Sequence, residues 1–489
     1  MKYETVIGLE VHVQIKTKTK IFCSCSTEFG SRPNENTCPI CLGMPGVLPV
    51  LNKRFLESSM RACLATHCTI EPMNRFARKN YFYPDLPKGY QISQFELPLG
   101  TNGYININVD GTKKRIGLTR IHMEEDAGKL IHGENLGSPG KSYVDFNRTG
   151  VPLCEVVSEP DLRSSEEARA YLIELKSILE YTGVSDCNME EGSLRCDANV
   201  SIRPVGQKEF GTRTELKNLN SFKFIQKAIE YEVDRQTKIL DQGDTVKQET
   251  RLYDSDRGET FPMRSKEEAH DYRYFPEPDL PPLFIEKQWV KSIESKLPEL
   301  PDARKNRFMN EYKLPPYEAS LLTSSIGMAD YFEETMDSSH LSKTLLSDRA
   351  KTTANWIIGD LTHLLNNSSS TIEESPIKPQ HLSELLDLMD EGKISVRMAK
   401  EIFEEMYTDS KKPSLIIETK GLSQINDEEK LQSIVASIIA SNSKAVEDYK
   451  KGKSNAVGFL VGQLMKETKG QANPKTANQL VKSALDAIK

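Results

Sequence analysis

The stretch VIGLEVHVQI, residues 6–15, predicts a β-strand whose two faces differ in character. Alternate residues of a strand point to opposite faces of its sheet. One face here would be wholly apolar and belong to a core, whereas the other would carry Glu10 and His12. These two residues would stand roughly 7 Å apart along the strand, so that both can reach one ion or ligand. The alternative is a solvated sheet face on which they have no special task.

A second strand of the same design is predicted in SLRCDANVSIRP, residues 193–204. Its polar positions, Arg195, Asp197 and Asn199, alternate with apolar ones. Short strand-like runs between Gly, Pro and Asn residues, with a few helices among them, continue to about Ile285. The pattern predicts one large mixed α+β unit.

Acidic residues are dense in two further segments, HMEEDAGK and MEEG. Their carboxylates belong to Glu124, Glu125, Glu190 and Glu191. Carboxylate oxygens suit Mg²⁺, which keeps several waters and contacts substrate phosphates. The chain has no GxxxxGK[ST] loop, so phosphate binding would depend on side chains and metal. It also lacks a GxSxG elbow for a serine nucleophile.

Four cysteines are closely paired in CSCSTEFGSRPNENTCPIC, residues 23–41. Cys-x-Cys and Cys-x-x-Cys are short chelating hooks that a turn-rich loop can close into a tetrahedral zinc site. Its ligands would be Cys23, Cys25, Cys38 and Cys41, and the alternative is four reduced thiols without a metal. The remaining five cysteines are scattered among apolar neighbours, which is typical of core thiols in a reducing compartment.

The composition is that of a globular protein with several domains, because 489 residues exceed what one core organises. No apolar run is long enough to cross a bilayer, and the first residues do not resemble a secretory signal. We therefore expect a cytoplasmic protein. The formal net charge is −7, so a nucleic-acid partner would require a local basic patch.

Proline-rich FPEPDLPPL, residues 275–283, predicts the end of the strand-rich part. Helical periodicity follows it, and a small helical module begins at about Lys411. From Ala445 onward the chain has eight Lys against four Asp and Glu, an excess of +4. Contact with a phosphate backbone would explain this excess, and a solvated helix face is the alternative.

Seven motifs in order identify a family. They are VIGLEVHVQI, RKNYFYPDLPKGYQISQ, HMEEDAGK, MEEGSLRCDANVSI, ELKNLNSF, DYRYFPEPD and GFLVGQLMKETKGQANP. Together they closely resemble the B subunits of the bacterial aspartyl/glutamyl-tRNA amidotransferases, the GatB/GatE family, over essentially the whole chain. The resemblance implies a ligase that forms carbon–nitrogen bonds with glutamine as amido donor. ATP would phosphorylate the side-chain carboxylate of misacylated Glu-tRNA(Gln), Asp-tRNA(Asn) or both, and ammonia would then displace phosphate.

The resemblance also implies the architecture and the partners. A glutamine-synthetase-like cradle domain with an antiparallel or mixed sheet would span residues 1–290 and carry the zinc loop at 23–41. An all-helical domain would span residues 291–410, and a small YqeY-like tRNA-binding tail would span residues 411–489. The amidase, or A, subunit would supply ammonia through a channel, and a small C subunit would complete the heterotrimer. Neither DNA nor a membrane is an expected partner.

The resemblance assigns roles to individual residues. The catalytic residues would be Glu10, His12, Glu125, Lys79 and Arg195, of which the last two would offset phosphate charge. The Mg²⁺ ligands would be Glu10, His12, Glu125 and Glu191, with Glu124, Glu190 and Asp197 as further candidates. Tyr81 and Lys88 would line the ammonia path, and tRNA would be bound by Lys453, Lys466, Lys469 and Lys475. Zinc would be a structural staple beside the active site.

Two other classes of protein share parts of this pattern. A non-catalytic zinc-ribbon RNA-binding protein would use the cysteines and the lysines but leave the polar strand faces unexplained. A metal-dependent phosphohydrolase would use the carboxylates but has no need of a basic tail. ATP turnover that depends on misacylated tRNA separates these classes from an amidotransferase.

Overall fold

The computed structural model describes residues 2–133, 137–263, 272–340, 345–420, 428–450, 455–468, 472 and 474–488. The chain divides into two compact units, Met1–Pro301 and Asp302–Lys489. The predicted tRNA-contact residues Lys453 and Lys469 lie outside the described residues, as does the side chain of Lys475.

The first unit is built on strands, with a few helices among them. The strands are β1 (Tyr3–Gln14), β2 (Thr69–Ile70), β3 (Met73–Asn74), β4 (Ala77–Asn80), β5 (Tyr90–Ser93), β6 (Gly100–Val109), β7 (Thr112–Glu125), β8 (Lys129–His132), β9 (Ser142–Asp145), β10 (Pro152–Ser158), β11 (Leu194–Pro204), β12 (Thr214–Lys217), β13 (Glu249–Asp254), β14 (Glu259–Pro262), β15 (Phe275–Pro276) and β16 (Leu283–Phe284). The helices are α1 (Lys53–Ala65), α2 (Ser165–Tyr181), α3 (Phe222–Asp241) and α4 (Lys287–Glu294).

Nine of these described strands form one sheet in the order β14-β13-β12-β11-β1-β10-β7-β6-β2. Strand β1 lies inside this sheet and pairs antiparallel with both β10 and β11. Strands β12 and β13 are parallel, so the sheet is mixed. Because β1 is paired on both sides, its polar residues belong to an interior strand of the sheet and not to an edge strand.

The apolar face of β1 forms the core of the first unit. Ile7 and Val11 are fully buried there, together with Tyr171 and Leu172 of α2. Helix α2 begins where the Ser164 hydroxyl accepts a hydrogen bond from the Glu167 backbone N–H, a cap that satisfies one of the free amides of the first turn. Burial of each large apolar side chain contributes about 1.5–3 kcal/mol, which makes this face the main anchor of the strand.

The second unit is helical throughout its described parts. Its helices are α5 (Pro301–Glu311), α6 (Pro316–Leu322), α7 (Ile326–Asp337), α8 (Leu346–Asn355), a π-helical stretch (Trp356–Leu361), α9 (Thr362–Ser368), a 3₁₀ turn (Ile372–Glu374), α10 (Pro379–Asp390), α11 (Val396–Asp409), α12 (Pro413–Lys420), α13 (Glu428–Ser441), α14 (Ser443–Lys450), α15 (Asn455–Glu467) and α16 (Pro474–Asp486). One apolar cluster runs from Phe308 to Ile416 and another from Leu431 to Leu485.

The predicted fold class is confirmed, because a mixed-sheet α+β unit is followed by helices. The predicted domain boundaries near residues 290 and 410 stay predictions. Within the described parts of the chain, no helix has the length and apolar character needed to span a membrane.

The core face of β1 can be tested with Leu9→Ala, because Leu9 is 1% exposed. We expect the free energy of unfolding of the first unit to fall by about 2–5 kcal/mol, since the truncation leaves a cavity. The chain has two tryptophans, so a Trp356→Phe background leaves the fluorescence of Trp289 as a reporter of the first unit. Leu252→Ala is the control, since Leu252 is 41% exposed. An equal loss in both variants would contradict the assigned core.

Candidate active site and metal centre

The polar face of the sheet carries a row of side chains that alternate between imidazole and carboxylate. In the strand register His122 is opposite Glu155, and Glu155 is opposite His12. The Glu155 Oε2 atom lies 3.3 Å from His12 Nε2 and 3.4 Å from His122 Nε2. Glu124 completes the group, 3.7 Å from each imidazole. Strand pairing therefore brings together residues from three separate parts of the sequence.

This group is largely buried, which strengthens its internal electrostatics. Burial disfavours a charged imidazole, but the carboxylates of Glu155 and Glu124 outweigh it and raise the pKa of His122 to about 9. Burial likewise opposes ionisation of Glu155, yet the neighbouring imidazoles of His122 and His12 hold the pKa of its carboxyl well below the usual range. The group is thus organised around a carboxylate that stays ionised at neutral pH.

His12, Glu124 and Glu155 each offer a ligand atom, and these atoms lie within 4.8 Å of one another. Two carboxylates and one imidazole are a donor set that fits Mg²⁺, which usually keeps several water ligands. The sequence patterns predict neither Glu155 nor His122 as a site residue. Glu155 is the one charged residue in the otherwise uncharged strand PLCEVVS, and this isolated charge is the sequence feature that could have indicated a site residue.

Glu10 lies on the same strand face as His12, as the alternation predicts. The Asn199 Nδ2 donates a hydrogen bond of 2.9 Å to Glu10 Oε1. Burial, together with the charge of Glu155, raises the pKa of the Glu10 carboxyl. Asp197 faces Glu10 across the strand pair, but its carboxylate is ion-paired with Lys217 at 2.6 Å. Glu10 is therefore the better placed of the two to turn toward a cation.

Glu125 follows Glu124 in the chain and points to the other side of β7. Its carboxylate forms an ion pair with Lys88 and accepts a hydrogen bond of 2.8 Å from the Ile92 backbone N–H. Glu125, Lys88 and Cys41 line a cavity of about 210 Å³. The structure places Glu125 and Lys88 together but does not bring Glu125 into the group of His12, Glu124 and Glu155.

Glu190 and Glu191 lie in the exposed turn before β11. Their backbone N–H groups donate to the Asn188 side-chain oxygen, at 3.0 and 3.4 Å. The structure does not bring these carboxylates into the group around His12, and it holds their backbone in a local turn.

Arg195 projects from β11 opposite His12, yet its guanidinium already has an internal partner. Arg195 Nη2 lies 2.8 Å from the buried Asp126 Oδ2. Gln14 donates to the same oxygen at 3.0 Å, and Arg148 lies 3.6 Å away. The positive charge of Arg195 thus compensates a buried carboxylate next to the site.

Lys79 lies between the acidic group and a set of tyrosines. Burial lowers the pKa of Lys79, but the charge of Glu124, together with Glu155 and the neighbouring tyrosines, outweighs this effect and the net shift is upward. The Lys79 ammonium lies 4.8 Å from the ring centre of Tyr272. The Tyr81 ring contacts Tyr272 edge to face at 6.0 Å, and Tyr272 in turn contacts Tyr274. Neither Tyr272 nor Tyr274 was predicted to belong to the site, although both stand in the motif DYRYFPEPD.

The four predicted zinc ligands are brought together. Their four sulfur atoms, from Cys23, Cys25, Cys38 and Cys41, all lie within 4.8 Å of one another. The Cys38 backbone N–H donates to Cys41 Sγ at 3.2 Å. A hydrogen bond from Cys23, together with backbone and lysine contacts, lowers the pKa of the Cys41 thiol to about 4. Four soft sulfur donors in a closed group fit a structural Zn²⁺.

Lys20 is buried directly beside this sulfur group and is 1% exposed. Its ammonium donates to the backbone oxygens of Asn36 at 2.6 Å and Phe146 at 3.3 Å, and lies 3.7 Å from Cys41 Sγ. A buried cation is costly without a negative partner. The readily ionised Cys41 thiol supplies part of that charge, and further thiolates around a metal would supply more.

Of the lysines predicted to bind tRNA, Lys466 is described. It lies exposed in the last turn of α15.

Arg195→Met tests whether Arg195 has a structural task. We expect the free energy of unfolding of the first unit to fall by about 1–3 kcal/mol, because buried Asp126 loses its closest cation. Adding Asp126→Asn should recover a large part of this loss, as measured by urea unfolding with the Trp289 reporter. A double variant that is less stable by the sum of two independent losses would contradict the ion pair.

Comparisons with known proteins identify the family of this chain. Residues 5–291 match the family model described as GatB/GatE catalytic domain, and residues 330–485 match the model described as GatB domain. The B subunit of the aspartyl/glutamyl-tRNA(Asn/Gln) amidotransferase of Carboxydothermus hydrogenoformans is 58% identical over 484 residues, covering 99% of both chains. That of Caldanaerobacter subterraneus is 57% identical over 99% of this chain and 100% of its own. That of Geobacter sulfurreducens is 54% identical with the same coverage. These matches confirm the resemblance seen in the motifs, and the chain belongs to the GatB/GatE family of amidotransferase B subunits.

Proposed function

We propose that the chain is the B subunit of a tRNA-dependent amidotransferase and carries its phosphorylation and amidation site. Misacylated Glu-tRNA(Gln), Asp-tRNA(Asn) or both would be converted to Gln-tRNA(Gln) and Asn-tRNA(Asn). The observation that carries the proposal is the largely buried group of His12, Glu124 and Glu155 inside the part of the chain that matches the catalytic-domain model. The names of the full-length relatives support the same reaction.

The reaction requires activation because a carboxylate does not react with ammonia. In the first step a side-chain carboxylate oxygen of the aminoacyl group bonds to the γ-phosphorus of ATP, the bond to the β–γ bridging oxygen breaks, and ADP leaves. In the second step the ammonia nitrogen bonds to the carbonyl carbon, the carbon–oxygen bond to phosphate breaks, and a proton is released. Charge accumulates on the phosphoryl oxygens, so positioning and positive charge are the main demands on the protein.

The residues of the acidic group would meet part of this demand by holding Mg²⁺. His12, Glu124 and Glu155 would be its ligands, and Glu10 lies on the same face as a further donor. The bound ion would supply positive charge toward the phosphate oxygens. The charges of Glu124 and Glu155 help to raise the pKa of Lys79, which keeps its ammonium charged. Lys79 would orient the γ-phosphate from the side of the site where Tyr272 lies.

Ammonia would come from a partner glutaminase, the A subunit, in a heterotrimer that includes a small C subunit. The relatives are named as B subunits, which supports a complex of several different chains. We propose that ammonia passes Lys88 and Glu125, which line the 210 Å³ cavity, and then Tyr81. Tyr81 lies near Glu124, whose negative charge helps to raise the pKa of the Tyr81 hydroxyl. Burial is the larger cause of that rise.

The helical second unit would bind tRNA with its lysine-rich end. The proposed contacts are Lys453, Lys466, Lys469 and Lys475, which would meet phosphates of a folded RNA whose shape is recognised. An enzyme that acts on aminoacyl-tRNA would work in the cytoplasm, without DNA or a membrane as a partner.

The proposal is tested by ATP hydrolysis and amide formation with the partner subunits present. Glu-tRNA(Gln), correctly charged Gln-tRNA(Gln) and no tRNA are compared. Activity only with the misacylated tRNA supports the proposal. ATP left untouched while tRNA binds would favour a zinc-ribbon RNA-binding protein, and hydrolysis without tRNA would favour a phosphohydrolase.

Glu155→Gln should reduce amide formation more than about a hundredfold, because the stabilisation that a metal ion gives to phosphoryl transfer is worth several kcal/mol. Mn²⁺ binding followed by electron paramagnetic resonance should weaken in parallel. Glu190→Gln is the matched control, since Glu190 is exposed in a turn. Unchanged activity and unchanged Mn²⁺ affinity in Glu155→Gln would remove Glu155 from the proposed metal site.

Zinc is proposed as a structural staple, and Lys20 provides a way to test it. Lys20→Met removes the buried ammonium beside Cys41, and we expect zinc affinity to fall about 10- to 100-fold, as for other residues that support metal ligands. Competition with a chromogenic chelator measures this affinity. Lys18→Met is the control, since Lys18 is an exposed lysine of the same segment. If both variants kept the wild-type affinity, the proposed pairing of Lys20 with a charged metal–thiolate group would be wrong.

A further inference from the structure

An aromatic stack at the rim of the acidic site has no role in the function proposed so far. It consists of Phe95, which follows β5, and Tyr274. Their ring centres lie 4.2 Å apart and their planes differ by 6°. Phe95 is nonetheless 44% exposed. Among the residues that the structure describes, Tyr274 is the one aromatic ring stacked on Phe95, so the opposite ring face has no stacking partner there. We propose that the free face of Phe95 is a platform on which an adenine ring stacks.

The platform adjoins the acidic group through residues on both sides of the stack. Ser93, two residues before Phe95, donates its hydroxyl to Glu124 Oε2 at 3.2 Å. Tyr274 lies close enough to Lys79 for the ammonium to lower the pKa of the Tyr274 phenol. Burial has the larger effect and raises that pKa. A ligand seated on Phe95 can therefore extend into the site where phosphate chemistry is proposed.

Arg120 provides a second and independent feature of this rim. It stands two residues before His122 in β7, on the same strand face. Its Nη1 donates to the Phe95 backbone oxygen at 3.4 Å. Its Nε is buried and has no hydrogen-bond partner among the residues that the structure describes. Arg120 as a whole is only partly buried, so the other N–H groups of its guanidinium can donate to an acceptor on a bound ligand. A guanidinium beside an open aromatic face suits a group that combines a flat ring with phosphate oxygens.

Adenine is the flat ring that the substrates of the proposed reaction would offer to Phe95. Its π-face can stack on an aromatic side chain without any hydrogen bond to the edge of the base. The inference rests on the proposed function, in which adenine has two sources: the base of ATP and the 3′-terminal adenosine of tRNA. Both present the same ring, and both carry phosphates that can extend toward Arg120 and Lys79.

The test uses the full chain and two probes. The first is the magnesium complex of adenylyl imidodiphosphate, an ATP analogue that is not hydrolysed. The second is uncharged tRNA, with and without its terminal adenosine. Phe95→Ala should weaken the binding of one probe about 10- to 100-fold, and Phe95→Tyr should restore it, because a ring is sufficient for stacking. Phe284→Ala is the control, since Phe284 is a 71% exposed aromatic residue of the same unit.

The two probes distinguish the sources of adenine. A loss confined to the ATP analogue assigns the platform to the nucleotide. A loss confined to tRNA, and absent for tRNA without its terminal adenosine, assigns it to the RNA end. Wild-type affinity of Phe95→Ala for both probes overturns the inference while leaving the proposed function intact. A wild-type chain that binds neither probe contradicts the proposed function and the platform together.

Discussion

Antiparallel pairing of β1 with β10 and β11 is the constraint on which the rest of the site depends. The register places His12 opposite Glu155 on one side and opposite Arg195 on the other. A shift of one residue would move every polar side chain of β1 into the core and every apolar one out of it. The fully buried Ile7 and Val11 oppose such a shift. The hydrophobic core therefore fixes the geometry of the polar face as firmly as it fixes the fold.

The parts of this site that follow from local periodicity could be predicted from the sequence. The two faces of β1, the polar positions of β11 and the four sulfur ligands depend on short spacings within one segment. Glu155 depends on pairing between segments that are far apart in the chain, so an isolated Glu in an apolar strand gave no sign of its neighbours. Glu124 and Glu125 were both predicted as ligands, but consecutive residues of a strand point to opposite faces.

The two candidate metal environments differ in how their charge is balanced. Around His12 the carboxylates of Glu124 and Glu155 converge, and that concentration of negative charge would favour a divalent ion shared with phosphates. Around Cys41 the buried ammonium of Lys20 offsets part of the negative charge that four thiolates would bring. The first arrangement sets its carboxylates against the imidazoles of His12 and His122 and would share them with an ion and its phosphates, whereas the second is compensated by a buried ammonium, as expected of a site that holds a loop in place.

The opposite directions of Glu124 and Glu125 have a mechanical consequence. Glu124 belongs to the acidic group, while Glu125 contacts Lys88 beside the cavity on the other side of β7. One peptide unit therefore joins the acidic group to the lining of that cavity. Because the two residues share one peptide unit, any change of backbone conformation at Glu124 also changes the position of Glu125 and its contact with Lys88.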